Sequence, residues 1–156
     1  MSLRVGIGVD AHAFEDGASL VLGGVGFESQ RGLAGHSDGD VITHALIDAV
    51  LGAAGLADIG SLFPSDGSTP AGVSYLDLLR TALEQVRDAG WSVVNADCIL
   101  IGQEPRIADR RAEMERVLTD LAGAPVTVRA TTTDHLGFTG RGEGLAAQAV
   151  ALVERS

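Results

Sequence analysis

This sequence has one cysteine, few aromatics, a deficit of positive charge and no long apolar run, and each shortage excludes something. Cys98 is alone in 156 residues, so there is no intrachain disulfide and no cysteine-based zinc cluster. It stands in the apolar run "NADCILIG", where a reduced core thiol is expected rather than a nucleophile. Lys and Arg number 11 against 21 Asp and Glu, a formal net charge of −10. A chain this acidic lacks the basic face that nucleic-acid binding requires. No apolar run approaches the roughly 20 residues that cross a bilayer. The first residues enter a strand pattern without the basic region and apolar stretch of a secretory signal. A cytoplasmic protein with no membrane or nucleic-acid partner is expected. Aromatics are 4% of the chain while 46% is hydrophobic, so the core must come from Leu, Val, Ile and Ala. No internal repeat or low-complexity tract stands out, the 21 glycines sit at junctions, and the length suits one domain over 1–156.

What is there reads as interspersed strands and helices. Residues 3–9 have a strand pattern, and "LVLGGV" at 20–25 predicts another with a bulge or bend at Gly23–Gly24. Ser37 and Asp40 resemble a capping box, with Ser37 as the cap of a helix that buries Val41, Ala45, Leu46, Ala49 and Val50 and stops near Gly55. A helix over about 74–89, with Leu76, Leu79, Leu83 and Val86 on one face, ends at Gly90. A strand at 91–101 is followed by a helix over about 105–121, with Pro105 in its first turn and Ile107, Met114, Val117, Leu118 and Leu121 facing inward. "PVTVRATTT" predicts the last strand, and "GEGLAAQAVALVERS" a closing helix. The stretch 63–72 reads as a loop that can serve as a mobile flap. The fold class is α+β or an α/β sandwich with the helices on one face of a small sheet. So apolar a composition would not leave the other face wet, which points to oligomerisation through it.

Four stretches carry candidate chemistry. In "RVGIGVDAHAF", Asp10 and His12 share a strand face because side chains alternate with period two. His44 lies in the inward stripe of the first helix, with Asp48 four residues on. One carboxylate and two imidazoles make a three-ligand zinc set with an open position, or a non-haem iron site; a packed core histidine is the plain alternative. In "GHSDGD", His36 and Ser37 can donate to a phosphate at a helix start, or Ser37 simply caps. "ATTTDHLGFTGRGEG" offers hydroxyls and backbone N–H groups, with Asp134 a ligand suited to Mg²⁺ and Arg141 between glycines; otherwise it is a glycine-rich turn. "GQEPRIA" follows a strand where backbone groups are free, and its Arg106 either offsets a phosphate or lies on the surface. It has neither P-loop nor dinucleotide spacing.

Together "GIGVDAHAF", "LGGV", "HSDGDVITHALIDAVLGAAGLADIGSLFP" and "ATTTDHLGFTGRGEG" resemble the 2-C-methyl-D-erythritol 2,4-cyclodiphosphate synthase family of the non-mevalonate isoprenoid pathway, in order from Arg4 to Val153. The resemblance implies an α+β subunit with a small mixed sheet, helices on one face, and the other face packed at the centre of a homotrimer with active sites between neighbours. It implies a lyase whose substrate is 4-diphosphocytidyl-2-C-methyl-D-erythritol 2-phosphate. There the 2-phosphate attacks the β-phosphorus and cytidine monophosphate leaves. Zinc would be held by Asp10, His12 and His44, and a second divalent cation, Mg²⁺ or Mn²⁺, by Asp134. His36 and Ser37 would hold the 2-phosphate, and Thr132 and Asp134 would join them as catalytic residues. Asp58, Ile59, Gly60 and Phe63 would contact the erythritol part. Gly102, Pro105, Arg106, Ile107 and Ala108 would bind the cytidine, and Ala130, Thr131 and Thr132 the nucleotide phosphates. Phe138, Arg141 and Glu143 would lie at the trimer axis, where a central cavity takes an isoprenoid-phosphate ligand. The chain departs from the family pattern at Asp134 (usually Glu), His135 (commonly Lys), Arg106 (usually Lys) and in "FPSDG". Two other readings stay open on the same residues: a non-catalytic trimeric nucleotide-binding module, and a metallohydrolase releasing free phosphate.

Overall fold

The first strand divides its side chains between two environments. In the computed structural model, which describes residues 1–35, 37–64 and 72–156, β1 spans Ser2–Asp16. Its even positions Gly6, Gly8, Asp10 and His12 face helix α1 (Val41–Ala53). Its odd positions Leu3, Val5, Ile7 and Val9 face away and are 55%, 66%, 65% and 58% exposed. The two glycines are required by the approach of the helix. A Cβ at Gly6 would lie 2.0 Å from the Ala49 carbonyl oxygen, and one at Gly8 1.9 Å from that of Ala45. No side chain fits at those distances, so α1 lies directly on the strand.

The five-stranded mixed sheet has the order β4-β1-β7-β5-β6, with β4 at Arg31–Leu33, β5 at Ser92–Ile101, β6 at Val126–Thr131 and β7 at Gly144–Arg155. Neighbours run antiparallel except β5 and β6, which are parallel. Helices α1, α3 (Tyr75–Asp88) and α4 (Arg111–Ala122) cover one face. Ile42, Leu46, Ile47 and Leu51 of α1 are fully buried there, each contributing about 1.5–3 kcal/mol of transfer free energy. This is an α+β fold with helices on one side. No helix among the described residues is long and apolar enough to cross a membrane.

Several expectations are corrected. The predicted closing helix is the strand β7, paired with β1 along twelve positions and with β5 on its other edge. Leu145, Ala147, Ala149, Ala151 and Val153 are buried, a spacing of two. Alanine favours helix locally, but a central position between two strands decides the outcome, and small side chains let α1 sit close. The single strand over 20–25 is a hairpin of β2 (Leu20–Leu22) and β3 (Val25–Phe27). Gly23 and Gly24 form its two-residue turn with φ of +57° and +75°, the geometry that matches strand twist. Helix α4 starts at Arg111 rather than near Pro105. Ile107 is buried as expected, but it lies one heptad before Met114 and so fits the stripe without being helical. The cap of α1 is Asp40, not Ser37: Asp40 Oδ1 accepts from the Thr43 N–H at 3.1 Å. Ser37 donates its hydroxyl to the Val73 carbonyl instead. Strand β4 and the four-residue helices α2 (Ile59–Leu62) and α5 (Gly137–Gly140) are additional elements. Of the expected flap, residues 65–71 lie outside the described residues.

Candidate metal centre and ligand cleft

Three side chains from two elements converge beside the sheet. Strand β1 supplies Asp10 and His12 from one face, and the second turn of α1 supplies His44. Asp10 Oδ2 lies 2.9 Å from His12 Nε2 and 3.0 Å from His44 Nδ1. One ligand atom from each residue falls within 4.8 Å of the others. All three atoms are buried and none makes a hydrogen bond of acceptable geometry. The contacts are thus electrostatic rather than directional, and buried polar atoms without partners are costly. A cation at their common focus would satisfy all three, so the donor set fits a divalent metal such as zinc.

The opposite nitrogens are held in a way that leaves these atoms free. His12 Nδ1 donates to the Ala34 carbonyl at 2.5 Å, which puts the lone pair on Nε2 when the ring is neutral. His44 Nε2 lies 3.2 Å from Asp48 Oδ2, so Nδ1 is the atom left free to ligate a cation. Burial works against both the Asp10 charge and the His44 charge, but the mutual attraction outweighs it. Asp10 is held below the usual carboxylate range. His44, between Asp10 and Asp48, is brought up to about 9. The Asp10 carboxylate raises His12 despite burial. Metal binding would therefore displace protons from the imidazoles. The Tyr75 ring packs against His44, with centroids 5.1 Å apart.

The expected nucleotide residues form a second, separate feature. Gly102, Pro105, Arg106, Ile107, Ala108, Ala130, Thr131 and Thr132 line one cavity of about 480 Å³, together with Gln103 and Arg111. It opens at the ends of the parallel strands β5 and β6, where backbone groups leave the sheet. The triad is absent from its lining, and two strand spacings, about 10 Å, separate β1 from β5. Asp134 is outside the Asp10–His12–His44 cluster and next to Thr132, which lines the cavity. It is exposed, with φ of +52°, and its backbone N–H donates to Thr132 Oγ1 at 3.3 Å. His135 is also left-handed, and its N–H donates to Gln103 Oε1. Arg141 and Glu143 form an exposed ion pair, with Phe138 exposed nearby on α5.

The segment expected to contact the erythritol part is tied to the metal centre. Asp58 caps α2 through the Ser61 N–H at 2.9 Å. Ile59 is buried, Gly60 exposed, and Phe63 packs partly against the core. The Ile59 N–H donates to Asp48 Oδ1 at 3.0 Å, so one carboxylate touches both His44 and α2. Only the spacing of four from His44 pointed to Asp48 in the sequence. His36 lies outside the described residues.

A family model described as "YgbB family" matches residues 3–154. The chain belongs to the YgbB family. A relative from Rubrobacter xylanophilus named 2-C-methyl-D-erythritol 2,4-cyclodiphosphate synthase is 52% identical over 159 residues, covering 98% of this chain and 96% of the relative. The bifunctional enzyme IspD/IspF of Clavibacter michiganensis is 50% identical over 153 residues; this YgbB-family chain covers only 37% of its length. Among solved structures, a complex described as IspF of Plasmodium falciparum with CDP superimposes with a TM-score of 0.86 at 28% identity, covering 99% of this chain and 97% of that one.

Proposed function

We propose that the protein is a metal-dependent, cyclising phosphorus–oxygen lyase, acting as one domain over 1–156. It converts 4-diphosphocytidyl-2-C-methyl-D-erythritol 2-phosphate to 2-C-methyl-D-erythritol 2,4-cyclodiphosphate and cytidine monophosphate. The observation that carries this reading is the set of three orphaned ligand atoms on Asp10, His12 and His44 in a YgbB-family chain. An oxygen of the 2-phosphate forms a bond to the β-phosphorus. The bond from that phosphorus to the bridging oxygen breaks, and cytidine monophosphate leaves with the oxygen. Phosphoryl transfer of this kind asks a protein for alignment and charge neutralisation rather than covalent chemistry.

Asp10, His12 and His44 would hold zinc, which supplies Lewis-acid polarisation of a phosphoryl oxygen. Asp134 would hold the second cation, Mg²⁺ or Mn²⁺, beside Thr132. Such charge is what a chain at −10 lacks for a diphosphate. The cavity at the ends of β5 and β6 would take the cytidine between Gly102 and Ala108, with Ala130, Thr131 and Thr132 against the phosphates; the CDP held by the Plasmodium relative supports this. His36 and Ser37 would hold the 2-phosphate, and Asp58, Ile59, Gly60 and Phe63 the erythritol part. The separation of triad and cavity within one chain supports a site completed by a neighbour. The exposed apolar face of β1 supports a homotrimer packed through it, with Phe138, Arg141 and Glu143 about a central cavity for an isoprenoid phosphate. A reduced buried Cys98 supports the cytoplasm.

Phosphorus NMR of the protein with this substrate, Zn²⁺ and Mg²⁺ tests the reading. The expected result is a cyclic diphosphate and equimolar cytidine monophosphate, with both lost in Asp10→Ala. Free phosphate would instead identify a hydrolase. No turnover by a zinc-loaded trimer would leave a binding module.

A further inference from the structure

Asp48 lies one turn beyond His44 on α1 and turns its two carboxylate oxygens to different partners. Oδ2 is 3.2 Å from His44 Nε2. Oδ1 accepts from the backbone N–H of Ile59 at 3.0 Å, and Ile59 is the first residue of α2. Helix α2 has four residues, too few to hold itself together by its own hydrogen bonds. Its place therefore depends on what grips it. The Ile59 side chain is buried, Asp58 caps it locally, and Asp48 ties its first N–H to the middle of α1.

We propose that Asp48 is a positioning residue that couples metal occupancy at Asp10, His12 and His44 to the seating of residues 58–63. This rests on the metal reading above. A cation bound at His44 Nδ1 restrains the ring, the ring restrains the Asp48 carboxylate, and the carboxylate seats Ile59. Coupling of this kind is reciprocal: whatever orders 58–63 tightens metal binding by the same factor. The metal centre and the substrate-holding segment then assemble together. A purely structural hydrogen bond would hold α2 equally well with and without metal, so the signature is metal dependence at a place the metal does not touch.

Amide hydrogen exchange across 58–63, measured in zinc-free and zinc-saturated protein, provides the test, with zinc affinity determined by competition against a chelator. In the native protein zinc slows exchange over this segment by about tenfold. Asp48→Asn keeps an oxygen for the Ile59 N–H but replaces the carboxylate oxygen opposite His44. Its zinc affinity falls about 10- to 100-fold, and at saturating zinc the slowing over 58–63 disappears. Retention of the slowing in this variant, or its absence in native protein that binds zinc, overturns the proposal. Ile59→Pro removes the other half of the link. Proline is accepted at the first helical position, and Asp58 at φ −71°, ψ 172° already has the conformation that precedes proline. Zinc affinity falls several-fold in this variant, and an unchanged affinity in the folded protein also overturns the proposal. Native protein that binds no zinc would remove the metal reading itself, an outcome distinct from zinc binding without coupling.

Discussion

Asp40 has no exposed surface, yet it is a carboxylate. Four donors surround it: the N–H groups of Gly23 and Gly24 at 2.9 and 2.8 Å, the Thr43 N–H at 3.1 Å, and the Thr43 hydroxyl at 2.7 Å. It thereby joins the β2–β3 turn to the start of α1. Asp40→Asn places an NH₂ group where an oxygen now meets a donor, so it is expected to cost about 1–3 kcal/mol in denaturant unfolding. Burial raises the Asp40 carboxyl from its ordinary 3.8 to about 6. Between those values the folded chain keeps a proton that the unfolded chain has released. The contribution of Asp40 to stability is therefore largest below pH about 4, falls by roughly 3 kcal/mol as the pH rises to about 6, and is level above. The stability difference between native protein and Asp40→Asn should shrink across that window. A difference independent of pH would show that Asp40 is ionised throughout.

Elements show where glycine is required and where it is merely tolerated. Gly8→Ala should cost several kcal/mol or prevent folding, because its Cβ would lie 1.9 Å from the Ala45 carbonyl oxygen on rigid backbone. Gly52, exposed on α1, has nothing nearer than 3.9 Å to a new Cβ. Gly52→Ala should stabilise by up to about 1 kcal/mol through helix propensity alone. Thermal melts of the two variants check both signs. The same elements explain what the sequence conveys. The pairing of Asp10 with His12 was legible because strand period is two, and His44 because it falls in the apolar stripe of α1. The cavity-lining residues from Gly102 to Ala108 and Ala130 to Thr132 were placed by resemblance rather than by pattern. Strand β7 was not legible as a strand, because a run such as "LAAQAVALV" suits either period and its two strand neighbours are distant in sequence. The link from Asp48 to Ile59 runs through a backbone N–H, which leaves no mark on residue identity.

At the scale of the whole molecule, the exposed row Leu3, Val5, Ile7 and Val9 is the feature a solitary chain does not explain. Ile7→Glu should convert the expected trimer to monomers in light scattering while leaving the Asp10–His12–His44 triad chemically intact, since residue 7 faces away from it. Activity should fall with assembly if a neighbour completes the site, whereas full activity in a monomer would show the site to be contained in one chain. On the proposed reading, strand β1 would carry assembly on its exposed odd positions and chemistry on its even ones. Inserting or deleting a single residue upstream of Asp10 would exchange the two sets, putting Val9 (insertion) or Ala11 (deletion) where the carboxylate belongs and turning Asp10 toward the exposed face. Length variation in this strand is therefore expected to survive only in steps of two.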